Sequence, residues 1–383
     1  MFLVIYFPAD DHFFRLAIDL SALLAVGTLF LAIRTAAYGD PESSGTEPYV
    51  SGGSTAMPDG PVVVRRPSPV STPPRTPRIP VPTSVPRFGA GSKAQRFPWL
   101  LPLRPASSAV AADEALLGDL AVRAASLVGP GHRCQEPATA RQDAYRMARD
   151  ETGEHLLLAV ADGVSSSTHA ELGATVAAST AINHLKRQLD DPNGQLSADA
   201  LFEEAAVAMR REAARRGFAP TDVCTVLLVA VIPTRPTAPT GERTMWAAWL
   251  GDASLWRLAE QRWRYAVGDR KGGVPGYDSN AVPHTLPGDP HAARESRLVL
   301  RPGDVVSLVS DGVGDGLATI DDFNAYLADR WRKPLPVTTY LNDIGFDAER
   351  FLDDRTSVTV WVAPGTRPRP AALPAEPTDG RPS

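Results

Sequence analysis

Between Ala121 and Val362, short apolar runs rich in Val, Leu, Thr and Trp alternate with two longer stretches of helical periodicity. The runs 121–128, 155–161, 223–232, 244–251, 304–310 and 356–363 are each bounded by Gly, Pro or Asp and predict strands. One helix is predicted from Thr168, where Thr168 and Glu171 have capping-box spacing and Leu172, Val176, Ile182, Leu185 and Leu189 recur every three to four residues. A second is predicted from Ser197 to Arg216, with Leu201, Phe202, Ala205 and Met209 on one side. Strands that follow strands directly, with helices grouped in blocks, indicate an α+β fold with largely antiparallel sheets. Two sheets with helices outside them fit this pattern. No internal repeat, Walker-type glycine loop or Gly-x-Ser-x-Gly elbow interrupts it.

The flanks read differently. The chain's 36 prolines crowd into 58–105 and the tail beyond 364, stretches too poor in periodic apolar residues to offset chain entropy. The expected organisation is an apolar segment 1–40, a Pro-rich disordered linker 41–112, a catalytic domain 113–363 and a disordered tail 364–383. Nothing in the linker signals contact with the domain. Within the first segment, Leu16 to Ile33 is about one bilayer-spanning length but contains Asp19. A membrane tether, a mis-assigned start and a loosely docked helix all fit it. If it spans, Arg34, Arg65 and Arg66 put the catalytic domain on the cytoplasmic side.

A net charge of −5 argues against a nucleic-acid partner, which would call for a basic face. Cys134 and Cys224 lack metal-type spacing, which suits a reducing compartment and excludes a disulfide framework, and Cys224 is expected in the core of a strand.

The candidate chemistry lies in acidic residues at strand edges: Asp143 in RQDAY, Asp162 in LLLAVADGVSSS, Asp252 in WLGDASLW, Asp311 and Asp315 in VVSLVSDGVGD, and Asp353 and Asp354 in FLDDRTSVTVWV. A lone Asp-Gly after a strand is an ordinary turn. A set of carboxylates aimed by rigid sheets toward one cleft is how a protein holds a hard cation such as magnesium or manganese.

In order and content, RQDAY, AVADGVSSS, CTVLLVAVI, WLGDASLWRL, LRPGDVVSLVSDGVGD and DDRTSVTVWV resemble the bacterial branch of the type 2C metal-dependent protein phosphatases over roughly residues 121–363. The architecture expected with them is a four-layer α-β-β-α sandwich of two largely antiparallel sheets flanked by helices. The resemblance implies that Asp162 bridges two Mn2+ or Mg2+ ions, that the Gly163 carbonyl binds one, and that Asp311 and Asp353 complete the second. Asp353 is preferred to Asp354 because the family's ligand lies three residues before the Thr that is here Thr356. Asp143 would hold water in the metal site, and Asp252, Asp311 and Asp315 match positions that bind a third, weaker ion. The activity implied is hydrolysis of phosphoserine and phosphothreonine, on a phosphoprotein made by a serine/threonine kinase, by a water whose pKa the ions lower.

The chain departs from the pattern at three positions. Gln142 stands where many members have a glutamate ligand, Ala138 where many have a phosphate-gripping arginine, and Val164 where animal members have a histidine acid. His132, Arg133 and Arg141 are candidate substitutes for the arginine, each with the alternative of a solvated loop residue. The other histidines, His155, His169, His184, His284 and His291, suit surface or helix-cap roles. Residues 268–290 lie where the family carries a flap beside the active site, and are either that or a plain linker. A weak or inactive phosphatase-like module that binds phosphoproteins is the alternative function. A tethered interaction protein working through its Pro-rich segment is a third.

Overall fold

The elements run, in chain order, β1 (Arg87–Phe88), β2 (Val110–Leu117), β3 (Leu120–Leu127), α1 (Pro130–Arg133), β4 (Ala144–Arg149), β5 (His155–Gly163), α2 (Ala170–Asp190), α3 (Ala198–Arg216), β6 (Thr225–Pro233), β7 (Arg243–Leu250), β8 (Ser254–Ala259), β9 (Arg262–Val267), β10 (Arg294–Leu300), β11 (Val305–Val309), α4 (Asp311–Thr319), α5 (Asp321–Arg330), α6 (Val337–Ile344), β12 (Asp347–Ala348) and β13 (Arg355–Val362). The computed structural model describes residues 85–93, 99–104, 107–134, 137–269 and 283–364. The apolar segment 16–33, most of the Pro-rich linker, residues 270–282 of the flap stretch and nearly all of the tail lie outside the described residues. Among the described residues no helix is long and apolar enough to cross a membrane.

Strand β5 shows how the sheets are built. Successive side chains of a strand face opposite ways. Leu156, Leu158 and Val160 enter a core shared with Val122, Leu228, Leu308 and Val358, while Leu157, Ala159 and Ala161 enter one shared with Ala177, Leu185, Phe202 and Met209. Both faces of the strand are buried, so its sequence is a continuous apolar run and not an alternating one. The antiparallel sheet β10-β7-β6-β5-β4 therefore packs α2 and α3 on one face and the antiparallel sheet β2-β3-β13-β11-β8-β9 on the other. The second sheet carries α4, α5 and α6 outside, over Trp256, Trp263, Phe323, Trp331, Tyr340 and Trp361. The result is an α+β four-layer sandwich.

Local differences from the sequence reading have physical causes. The capping box at Thr168 does not form, because Thr168 Oγ1 donates to Asp222 at 3.1 Å and the helix starts after His169. Ser197 does cap α3, accepting from the Ala200 N–H at 3.4 Å. Cys224 precedes β6 and is half-buried, not in the strand core. Strands β2, β4, β8, β9 and β10 carry Arg, Asp, Glu or Ser among their apolar residues, which hid them from a search for apolar runs.

Part of the expected linker belongs to the fold. β1 pairs in parallel with β12, and Arg87 Nε and the Ser92 N–H donate to the buried Asp347 carboxylate at 2.8 and 2.7 Å. Phe88 meets Phe323, Tyr326 and Phe346 edge-on, with centroids 5.3, 5.6 and 6.2 Å away. Removing residues 1–84 is expected to leave thermal stability unchanged, whereas removing 1–105 strips these contacts. Losing one packed aromatic and its hydrogen bonds costs about 3 kcal/mol, a fall of roughly 5–10 °C in Tm for a domain this size. Equal melting temperatures for the two truncations would show that the segment contributes nothing.

Candidate active site

The strand-edge aspartates converge because strand ends of the two stacked sheets lie together at one end of the sandwich. Asp162 is the penultimate residue of β5, paired with Val226 of β6, and its Oδ2 accepts the Asp311 N–H at 3.2 Å. That bond ties the end of one sheet to the first residue of α4, which follows β11 of the other. Asp353 lies two residues before β13, Asp143 directly precedes β4, and Asp252 sits in the β7–β8 turn. Burial first, then the charges of Asp143, Asp311, Asp353 and Asp252, push the Asp162 carboxyl well above its ordinary value. Among these five, four sequence-distant carboxylates thus act on one.

Glycine is required twice at this junction. A Cβ on Gly163 would lie 2.8 Å from the Gln142 carbonyl oxygen and from the Ala170 Cβ, so no other residue lets β5 end against this loop. A Cβ on Gly312 would lie 2.0 Å from the Asp354 carbonyl, so α4 presses directly on the start of β13. Asp315, expected either in a turn or at a third-metal position, is in α4 one turn after Asp311. It lines, with Asp252, Asp269, Trp256, Trp263 and Tyr265, a cavity of about 630 Å³ beside the carboxylate cluster.

Asp143 is 3% exposed, and although the Ser310 and Thr356 hydroxyls ease its charge, no cationic side chain among the described residues forms an ion pair with it. Burial and the charges of Asp354 and Asp353 push it up to about 8. Asp353 rises to about 6, through burial and the Asp311 charge. The Gln142 Oε1 is buried without a partner. Buried polar atoms are normally satisfied, and crowded carboxylates normally have a counter-charge. An all-oxygen set left in this condition fits hard divalent cations such as Mg2+ or Mn2+.

Asp354 has a different role. Its oxygens accept the N–H groups of Gly129 at 2.7 Å and Gln142 at 2.5 Å, and bond His132 Nδ1 at 2.8 Å. It is 1% exposed and fastens three segments together. The three candidate phosphate grips are not solvated loop residues. Arg141 turns inward, donating to the Ser126 hydroxyl at 2.6 Å and the Asp143 carbonyl at 2.5 Å, and Arg133 is 5% exposed and donates to the Leu100 carbonyl. His132 lies at the carboxylates themselves, Nε2 being 3.7 Å from Asp353 Oδ1. Burial disfavours its charged form, but Asp354, Asp353 and Asp143 outweigh that and push the ring up to about 9. Elsewhere, His155 pairs with the buried Asp150, His184 with Glu204 and His291 with Asp199, and His169 stacks on Phe218.

These shifts set the pH dependence of the metal-free protein. Asp143 and Asp353 hold protons more tightly folded than unfolded, so the folded state carries more protons between about pH 4 and 8 and stability falls as pH rises through that window. His132 adds to the trend, since its contribution is full below about 6.5 and is lost as pH rises through about 9. With chelator present, Tm should fall from about pH 5.5 to 8.5, and saturating Mn2+ should flatten the profile. A chelated Tm that climbs over that interval would rule out crowded carboxylates as the controlling groups.

The profile of the protein phosphatase 2C family matches residues 129–343. Among solved structures, the catalytic domain of the serine/threonine phosphatase PstP in complex with two manganese ions is 20% identical, covering 64% of this chain and 98% of that one with a TM-score of 0.45. A second structure of PstP, from Mycobacterium tuberculosis, is 19% identical, covering 64% and 99%, at 0.42. A serine/threonine phosphatase of S. agalactiae is 13% identical, covering 66% and 99%, at 0.45. No curated protein matches the chain. With more than half of its length matched by the family's profile and the family's acidic motifs gathered at one junction of the two sheets, the chain belongs to the protein phosphatase 2C family.

Proposed function

We propose that this chain hydrolyses phosphoserine and phosphothreonine in proteins, using divalent cations held by its strand-edge aspartates. The observation that carries this reading is the gathering of Asp143, Asp311, Asp353 and Asp252 around Asp162, with Asp143 3% exposed and pushed up to about 8 by burial and its acidic neighbours. Bound there, two Mn2+ or Mg2+ ions would supply a water of lowered pKa and neutralise charge on the phosphoryl oxygens. Asp162 and the Gly163 carbonyl, fixed at the end of a strand paired along its length, hold the ions without reorganising. Asp311 and Asp353 would complete the set from the side of the other sheet, and Asp143 would hold water in the metal site. Asp252 and Asp315 hold a third, weaker ion beside the cavity.

Neither cysteine offers a competing covalent route. Burial pushes the Cys134 thiol up, away from the reactive thiolate, and the Cys224 sulfur faces the Pro220 and Thr221 carbonyls. The substrate is a phosphoprotein, the product of a serine/threonine kinase, met on the cytoplasmic side with residues 16–33 as a tether. The alternative of a weak or inactive phosphoprotein-binding module draws support from Ala138, which is buried, and from Arg133 and Arg141, whose guanidinium groups are already engaged by backbone carbonyls.

The test is turnover of an aryl phosphate and of phosphoserine, phosphothreonine and phosphotyrosine peptides with Mn2+, Mg2+ or chelator. Turnover that survives chelation, or favours phosphotyrosine, would refute the proposal. Metal-dependent peptide binding without turnover would support the module instead. Asp315→Ala is expected to retain two bound ions by equilibrium metal counting yet lose most of its turnover, because an ion held by few carboxylates is the first to leave. Full activity in that variant would make Asp315 a plain helical residue.

A further inference from the structure

Resting on the metal reading above, we infer that His132 is itself a metal ligand: its Nε2 joins Asp353 on one cation and shifts the site's preference from magnesium toward manganese.

The tautomer follows from hydrogen-bond accounting. Asp354 accepts a backbone N–H on each oxygen, from Gly129 and from Gln142, so it acts as an ionised acceptor. An ionised carboxylate only accepts, and therefore the His132 Nδ1 2.8 Å away must donate. In the neutral ring that leaves the lone pair on Nε2. Pairing one ring nitrogen with a carboxylate while the other binds metal is the usual arrangement that fixes a ligating histidine.

Nε2 then faces Asp353 Oδ1 across 3.7 Å. The gap is too long for a hydrogen bond. It lies within the roughly 4.2 Å that two bonds of about 2.1 Å to one cation can span. The ring is held in place, with 14% of its side chain exposed, and cannot swing away without breaking the Asp354 bond. Asp143 supplies an independent sign that a cation belongs here. It is 3% exposed, crowded by the Asp354 and Asp353 charges with no ion-pair partner among the described residues, and its charge reaches the same ring. The neighbouring Gln142 contributes a neutral amide whose Oε1 is unpartnered. This side of the site therefore presents neutral nitrogen and oxygen donors beside its carboxylates. Imidazole suits the transition metals better than it suits magnesium, which prefers oxygen.

The experiment uses the full chain, stripped of metal and loaded with Mn2+, and reads nitrogen coupling to the ion by pulsed EPR. The expected result is modulation from a coordinated imidazole nitrogen that disappears in His132→Gln. In calorimetric titration, that variant should bind Mn2+ about 10-fold more weakly and Mg2+ less than about 2-fold more weakly. Bound Mn2+ with no nitrogen modulation in the unmutated protein would overturn the inference without any variant having to fold, leaving His132 as an ion-pair partner of Asp353. Modulation that persists in His132→Gln would overturn it as well. No Mn2+ binding at millimolar concentration would bring down the metal reading of the site together with this inference.

Discussion

Asp162→Ala is expected to lose metal-dependent hydrolysis by on the order of 10³-fold or more while its metal-free form melts at a higher temperature than the unmutated protein. The activity loss follows from position. Asp162 is the carboxylate on which the Asp143, Asp311, Asp353 and Asp252 charges all act, so a cation drawn to the cluster is drawn there most strongly. Removing it forfeits several kcal/mol of charge stabilisation, and each 1.4 kcal/mol is about tenfold in rate. The stability gain follows from the same crowding. Without metal, burial and four like charges disfavour the ionised form, and alanine relieves that repulsion for the loss of one long hydrogen bond from the Asp311 N–H. Both readouts are needed. Activity within about tenfold of the unmutated protein would remove Asp162 from the metal site, and a lower metal-free Tm would show that the carboxylate is a structural acceptor instead.

How much of this was legible in the chain depends on which interactions were local. Strands buried on both faces, such as β5, β6 and β13, are continuous apolar runs and could be read directly. The edge and near-edge strands β2, β9 and β10 interleave charged residues with apolar ones, and only pairing across the sheet makes strands of them. Asp143, Asp162, Asp252, Asp311 and Asp353 could be picked out because each follows or precedes a run that places it at a sheet end. His132 could not be assigned a role. Its partners lie more than two hundred positions away in the sequence, and no spacing within 130–134 points to them. Arg133 and Arg141 were misjudged for the converse reason: in sequence an arginine in a loop looks solvated, and here distant backbone carbonyls and Ser126 draw both inward. The doublet Asp353-Asp354 was ambiguous as sequence. In the structure the two carboxylates have different surroundings, one partly buried at the cluster and the other enclosed by donors.

That enclosure makes Asp354→Ala the substitution with the largest expected effect on stability. The side chain is 1% exposed and receives the Gly129 N–H at 2.7 Å, the Gln142 N–H at 2.5 Å and the His132 ring at 2.8 Å, with the Asp143 N–H at 3.4 Å. It therefore fastens the start of α1, the loop before β4 and the start of β13 at one point. Alanine leaves at least two buried backbone donors without an acceptor, at about 1–3 kcal/mol each, and strands an imidazole beside Asp353. The expected loss is about 3–5 kcal/mol, or roughly 10 °C in Tm for a domain of this size. Asp354→Asn keeps one acceptor oxygen, which can serve the Gln142 N–H, but turns an amide toward the Gly129 N–H, so about half of that loss is expected. Measuring both variants in chelator separates this effect from any change in metal affinity. If alanine and asparagine each cost under about 2 °C, the three segments must be held by something other than the Asp354 carboxylate, and the hydrogen-bond reasoning that fixes the His132 tautomer loses its anchor.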